Sequence, residues 1–142
     1  MWVQHLIFIL EMTIRKTYLI DDDEIFTVLT KIQMEKKASF GAIDVFENGE
    51  DAIERIEHDL ANNSLPDFIL LDLNMPIMDG WQFLDAFEKL NIEKKIVIYI
   101  ATSSIDPSDL MQAENYPFLQ GYISKPINSQ KLEEILVEVE QL

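Results

Sequence analysis

Cysteine is absent from the 142 residues, which excludes disulfides, thiolate chemistry and a Cys-based zinc site. Basic residues are scarce: 11 Lys plus Arg stand against 26 Asp plus Glu, a formal charge of −15. Such a surface repels phosphate backbones and anionic lipid, so no nucleic-acid or membrane partner is expected, and a protein or a cation suits it better. Histidine is represented only by His5 and His58, too far apart in sequence to suggest a ligand pair; both read as ordinary surface or packing residues. No Gly-Ser linker, low-complexity tract or internal repeat interrupts the chain, and its length suits one domain with a substantial core. No apolar run is long enough to span a bilayer: Met1 to Leu10 is too short, and it lacks the basic start of a secretory signal. Together with the missing cysteines this fits a cytoplasmic protein. Residues 1–15 read as an amino-terminal extension. Val3, Leu6, Ile7 and Leu10 lie at helical spacing, so the extension is either a short amphipathic helix packing on a partner or a misassigned start, with Met12 opening the functional chain.

What is present is organised around Asp67-Phe-Ile-Leu-Leu-Asp-Leu-Asn-Met-Pro-Ile-Met-Asp-Gly80. Phe68 to Leu71 is a continuous apolar run, the pattern of a strand covered on both faces, and it delivers Asp72 to the strand's carboxyl end. Pro76 stops the ladder, and Asp79-Gly80 reads as a turn into a helix. An isolated aspartate in this position often does no more than end a strand. Its companions decide the matter.

From residue 16 to the carboxyl terminus, short apolar runs alternate with longer amphipathic stretches, the signature of a parallel sheet with crossover helices. The expected strands are Tyr18–Ile20, Ala42–Phe46 at an edge, Phe68–Leu71, a central Ile96–Ala101, and Gly121–Ser124. The expected helices are Glu24–Lys37, with Ile25, Leu29 and Ile32 on one face; Glu50–Ala61, burying Ile53, Ile56 and Leu60; and Trp81–Leu90. A fourth is capped by Asp106 with Pro107 at its first position and Asp109 in its first turn. A fifth starts at Asn128 or Ser129, with Leu132, Ile135, Leu136, Val139 and Leu142 as its inner stripe.

Asp21-Asp22-Asp23 follow the first strand, Asp72 the third, Thr102 the fourth and Lys125 the fifth. One end of one sheet therefore gathers carboxylates, a hydroxyl and an amine. Two unit charges about 4 Å apart repel by on the order of 4 kcal/mol at an effective dielectric near 20, so these acids need a proton or a cation between them. Oxygen ligands without His or Cys point to a hard ion, and Mg²⁺ needs only one or two carboxylates; the spacing does not fit a calcium loop. Such a site suits phosphoryl transfer onto Asp72, with Lys125 and the Thr102 hydroxyl holding the phosphoryl oxygens.

Asp21-Asp22, Leu71-Asp72-Leu-Asn-Met-Pro-Ile-Met-Asp-Gly80, Thr102-Ser103-Ser104 and Gly121-Tyr-Ile-Ser-Lys-Pro126, in that order and spacing, resemble the receiver domain of two-component response regulators, over 16–142. The resemblance implies a flavodoxin-like α/β fold: a doubly wound five-stranded parallel sheet of order 2-1-3-4-5 with five helices. It implies a stand-alone, chemotaxis-regulator-like receiver, not an enzyme in the ordinary sense, whose Asp72 receives phosphate from a histidine kinase or a histidine phosphotransfer protein. Mg²⁺ would be held by Asp22, Asp72 and the backbone carbonyl of Asn74, with Asp21 acting through water; Asp22 and Asp23 are the alternative pair. Thr102 and Tyr122 would form the switch, changing the face of helix 4, strand 5 and helix 5 that meets a downstream protein. Lys125-Pro126 resembles the family's cis peptide, and Asn74 and Ser104 occupy positions that tune dephosphorylation. Two alternatives remain at this stage: a receiver-like binding module that signals without phosphate, and an aspartyl-phosphate phosphatase. The second would need an acid where Asn74 stands.

Overall fold

The computed structural model describes residues 13–103 and 105–142. The expectations for the amino-terminal segment up to Met12, His5 included, and for Ser104 lie outside the described residues. Five strands are present: β1 Ile14–Ile20, β2 Phe40–Phe46, β3 Phe68–Leu71, β4 Val97–Thr102 and β5 Leu119–Ser124. They alternate with helices α1 Glu24–Glu35, α2 Gly49–Ala61, α3 Gly80–Lys89, α4 Pro107–Ala113 and α5 Ser129–Glu140. The sheet is parallel in the order β2-β1-β3-β4-β5. This is the expected flavodoxin-like fold, with the order reversing at β1 and β3.

Alternation along the strands divides the core in two. Leu19, Phe68, Leu70, Tyr99 and Ala101 face α1 and α5, meeting Phe26, Met34, Leu132 and Ile135. Tyr18, Ile20, Ile69, Leu71 and Ile98 face α2 and α3, meeting Ala52, Ile53, Ile56, Phe83 and Leu84. All four residues of β3 and all six of β4 are buried, as their unbroken apolar runs require.

Helix starts follow the capping rules. Asn48 accepts from Asp51 N–H, Asp79 forms a capping box with Gln82, Asp106 accepts from Asp109 N–H with Pro107 next, and Asn128 accepts from Lys131 N–H. Of the two residues expected to begin α5, Asn128 is therefore the cap and Ser129 the first helical residue. The Lys125-Pro126 peptide is cis.

Several faces differ from the sequence expectation. Ile25, Leu29 and Ile32 do share a face of α1, but it points outward; Phe26, Thr27, Thr30 and Met34 are the buried set. Leu60 is exposed, and Asp59 takes the inward position on α2. Leu142 lies beyond the end of α5 and is exposed, so it is no part of the inner stripe. β1 also begins earlier than expected and takes in Ile14, fully buried, and Arg15.

Candidate phosphoacceptor site

The carboxyl ends of β3, β1 and β2 are tied by main-chain bonds, with Asp72 N–H donating to Ile20 O of β1 at 2.9 Å and Asp21 N–H to Phe46 O of β2 at 2.9 Å. These bonds place the side chains of Asp21, Asp22 and Asp72 in one pocket, where each offers an oxygen within 4.8 Å of the others. Asp21 and Asp72 are buried, and Asp22 is exposed at the rim. Asp23, the alternative ligand, is turned away: its carboxylate accepts from Phe26 N–H at 3.1 Å and caps α1. Of the three adjacent acids, Asp21 and Asp22 cluster with Asp72, and Asp23 stands at the helix start.

Lys125 follows β5, and its N–H donates to Thr102 O at 2.9 Å, so the ends of β4 and β5 are joined at the site. Its ammonium lies 2.7 Å from Asp21 Oδ2 and 3.7 Å from Asp72 Oδ1, and 4.5 Å from the centre of the Phe26 ring. Phe26 is a contributor that the sequence reading missed, because a phenylalanine in the first turn of an amphipathic helix carries no signal of its own. Thr102 is buried at the end of β4. Asn74 is exposed in the loop two residues past Asp72. Tyr122, in β5 opposite Ile100, is half-buried, and burial raises its phenol pKa.

Loop β3–α3 wraps tightly round the pocket. Gly80 N–H donates to Leu73 O at 2.9 Å, and a Cβ at Gly80 would stand 2.5 Å from Asp72 O. Only glycine permits that approach. The adjoining turn is strained: Met78 N–H donates to Pro76 O at 2.7 Å across Ile77, whose φ is 68°. A β-branched residue there is an outlier.

Electrostatics set this pocket apart. Burial, then the charge of Asp21, raises the Asp72 carboxyl to about 6, against the pull of Lys125 and of the Leu73 N–H at 2.9 Å. Burial likewise raises Asp21, although Lys125 and the Asp23 N–H oppose it. One ammonium does not neutralise three carboxylates. The donor set, three carboxylate oxygens with no nitrogen or sulfur ligand, fits a hard divalent cation.

Comparison with known proteins agrees with this geometry. Residues 18–137 match the response regulator receiver domain. The chain belongs to that family. The rice two-component response regulator ORR41 is 28% identical over 127 residues, covering 87% of this chain and 92% of that protein. The probable methanogenesis regulatory protein FilR2 of Methanothrix harundinacea is 25% identical over 124 residues, 87% of this chain and 79% of FilR2. Among solved structures, a two-component response regulator from Cytophaga hutchinsonii superimposes with a TM-score of 0.82 at 28% identity, covering 91% of this chain and 98% of that one. A Vibrio cholerae chemotaxis protein, CheY4, shares the fold at a TM-score of 0.73 and 22% identity, covering 88% of this chain and 98% of CheY4. Receiver domains are signalling phosphoacceptors that bind Mg²⁺ at an acidic pocket and interact with histidine kinases or phosphotransfer proteins and with downstream targets. Among the described residues no helix is long and apolar enough to cross a membrane.

Proposed function

We propose that Asp72 accepts a phosphoryl group in a Mg²⁺-dependent reaction, from the phosphohistidine of a kinase or phosphotransfer protein, and that the cytoplasmic protein then signals by contact with another protein. The observation that carries this reading is the buried Asp72 carboxylate, crowded by Asp21 and Asp22 and reached by a single ammonium. Asp21, Asp22, Asp72 and the Asn74 carbonyl are the groups that would hold the ion. When bound, it supplies positive charge to the phosphoryl oxygens and relieves the repulsion among the acids.

An Asp72 oxygen attacks phosphorus, the P–N bond to the donor imidazole breaks, and that nitrogen keeps the electron pair. Lys125 swings its ammonium from Asp21 towards a phosphoryl oxygen, and the Thr102 hydroxyl donates to another. The chain thereby assists its own phosphorylation and, with water as the later nucleophile, its own dephosphorylation. Asn74 in place of an acid leaves no general acid for turnover of free phosphoesters, which favours a switch over a phosphatase. Movement of Thr102 lets the half-buried Tyr122 ring shift, altering the face of α4, β5 and α5, where Leu110 and Met111 stand exposed.

Intact-mass measurement with a small phosphodonor tests the reading. The wild type should gain one phosphate with Mg²⁺ and none with a chelator, and Asp72→Asn should gain none. Lys125→Ala and Thr102→Ala should stay folded but take up phosphate more slowly or fail to transmit it. Phosphate on Asp72→Asn, or none on the wild type, would sink the assignment.

A further inference from the structure

The outward face of α1 is an apolar surface that the receiver function leaves unexplained. Ile25, Val28, Leu29 and Ile32 repeat at i, i+3, i+4 and i+7 and are 73%, 50%, 55% and 47% exposed. No other described helix leaves more than two large apolar side chains exposed. Val45 of the edge strand β2 is exposed too, and it lines one hollow with Val28. Together they make a patch on the order of 400 Å², the size at which a patch on a soluble domain is often a contact surface.

Charge selects what can cover it. At −15, two copies of the chain repel over most of their surfaces and meet most readily where acid is not in excess. The stretch 24–37 is such a place, with three lysines against two glutamates. Its charges are also sorted along the helix. Asp22, Asp23 and Glu24 stand exposed at the amino end of α1. Lys31 and Lys36 stand towards the carboxyl end with Glu35 between them, and neither lysine is in an ion pair among the described residues. A helix acidic at one end and basic at the other matches a copy of itself laid the opposite way.

We propose that α1 docks on α1 of a second copy of this chain, antiparallel and two-fold symmetric, with the axis passing between Val28 and Leu29. That register uses the whole stripe: Ile25 lies level with Ile32 of the second copy, and Val28 with Leu29. Glu24 and Lys31, seven residues apart, share one flank of the stripe. A two-fold axis perpendicular to the helices keeps that flank on one side in both copies. At 1.5 Å per residue, Lys31 then stands about 3 Å along the helix from Glu24 of the other copy, twice over by symmetry. A parallel pair would put the two on opposite sides of the seam. Lys36 reaches the end of the seam beside the exposed Asp22 of the second copy, so each molecule brings an ammonium to the acid rim of the other's pocket. The two patches with their polar flanks bury on the order of 1,000 Å², the small end of specific interfaces, which fits a dimer that forms between about 1 µM and 1 mM. This contact does not depend on phosphate transfer, and its test needs none.

Sedimentation in about 0.15 M salt should show one copy at the low end of that range and two at the high end. Leu29→Asp should hold the chain as one copy throughout, with unchanged far-UV circular dichroism. Glu24→Lys and Lys31→Glu should each weaken the dimer about fivefold. Combined in one chain they keep the charge at −15 and should restore it. Because the chain has no cysteine, single thiols read the register. On oxidation Leu29→Cys should couple to its own copy in the second molecule, whereas Ile25→Cys should not, the two thiols lying about 10 Å apart along the helix. A chain that stays single up to about 1 mM overturns the proposal. So does a dimer that survives Leu29→Asp, one that the combined charge exchange fails to restore, or self-coupling of Ile25→Cys ahead of Leu29→Cys.

Discussion

Two buried acid clusters lie on the same sheet and have opposite characters. Asp59, on α2, receives the Lys16 ammonium at 2.8 Å, the Tyr18 hydroxyl and a His58 ring nitrogen at 3.1 Å. Burial pushes its carboxyl up, but Lys16, Tyr18 and His58 together outweigh burial and hold it at about 2. Asp72 moves the other way, to about 6, first because burial raises it and then because Asp21 and Asp22 share its pocket with one ammonium. The first cluster closes its own charge and fastens α2 to β1. The second is left short of positive charge, a deficit that the cation of the proposed function would fill.

The sharpest way to break the contrast is Asp59→Ala. It leaves the Tyr18 hydroxyl without its acceptor and Lys16 with only the Ser64 carbonyl at 2.9 Å and Asp44 at 4.0 Å, and should cost about 2 to 3 kcal/mol, read from the midpoint of urea unfolding. Asp59→Asn should cost less, since the amide still accepts from Tyr18. A cost near zero for Asp59→Ala would show that the cluster is not structural.

Acidity sharpens the comparison next. A carboxyl raised in the folded state contributes stability that is full below its unfolded pKa and lost as pH rises through the folded one. Metal-free protein should therefore lose on the order of 3 kcal/mol from Asp72 between about pH 4 and 7. Asp72→Asn should abolish this loss, and Mg²⁺ should offset it. Asp59 has the opposite sign: its contribution, about 2 kcal/mol, is present above pH 4 and lost as pH falls towards 2. Melting curves across pH with and without Mg²⁺ separate the two limbs. A metal-free curve flat from pH 4 to 7 would contradict the charge deficit.

The smallest effect concerns strain at the Asp72 end. Ile77 is 73% exposed with φ at 68°, so it buries little to repay its conformation. Ile77→Gly should raise stability by about 1 kcal/mol, the relief of the turn less the added freedom of the unfolded glycine. Destabilisation would mean that the isoleucine packs better than its exposure indicates.

The phosphoacceptor pocket was readable from sequence because its residues sit at strand ends, and a short apolar run fixes a strand end to within a residue. β3 was read at its observed limits for that reason. Helix faces were less legible. On α2 the apolar positions Ile53, Ile56 and Leu60 suggested one phase, but the helix is turned so that Asp59 faces Lys16 and Tyr18. One residue is 100° of rotation, and a partner on another strand settles it. On α1 two candidate stripes coexist, and the more apolar one lies outside. The inner one mixes Phe26 and Met34 with two threonines, so hydrophobicity alone misorders them.

Gly80 has a further consequence. With its N–H on Leu73 O and no side chain to hold it off the Asp72 carbonyl, the first turn of α3 is locked to the end of β3. The two elements form a fixed anvil under Asp72. On the function proposed above, a phosphoryl group arriving over it would have nowhere to push on that side, and displacement would be channelled across the sheet, towards Thr102 and Tyr122.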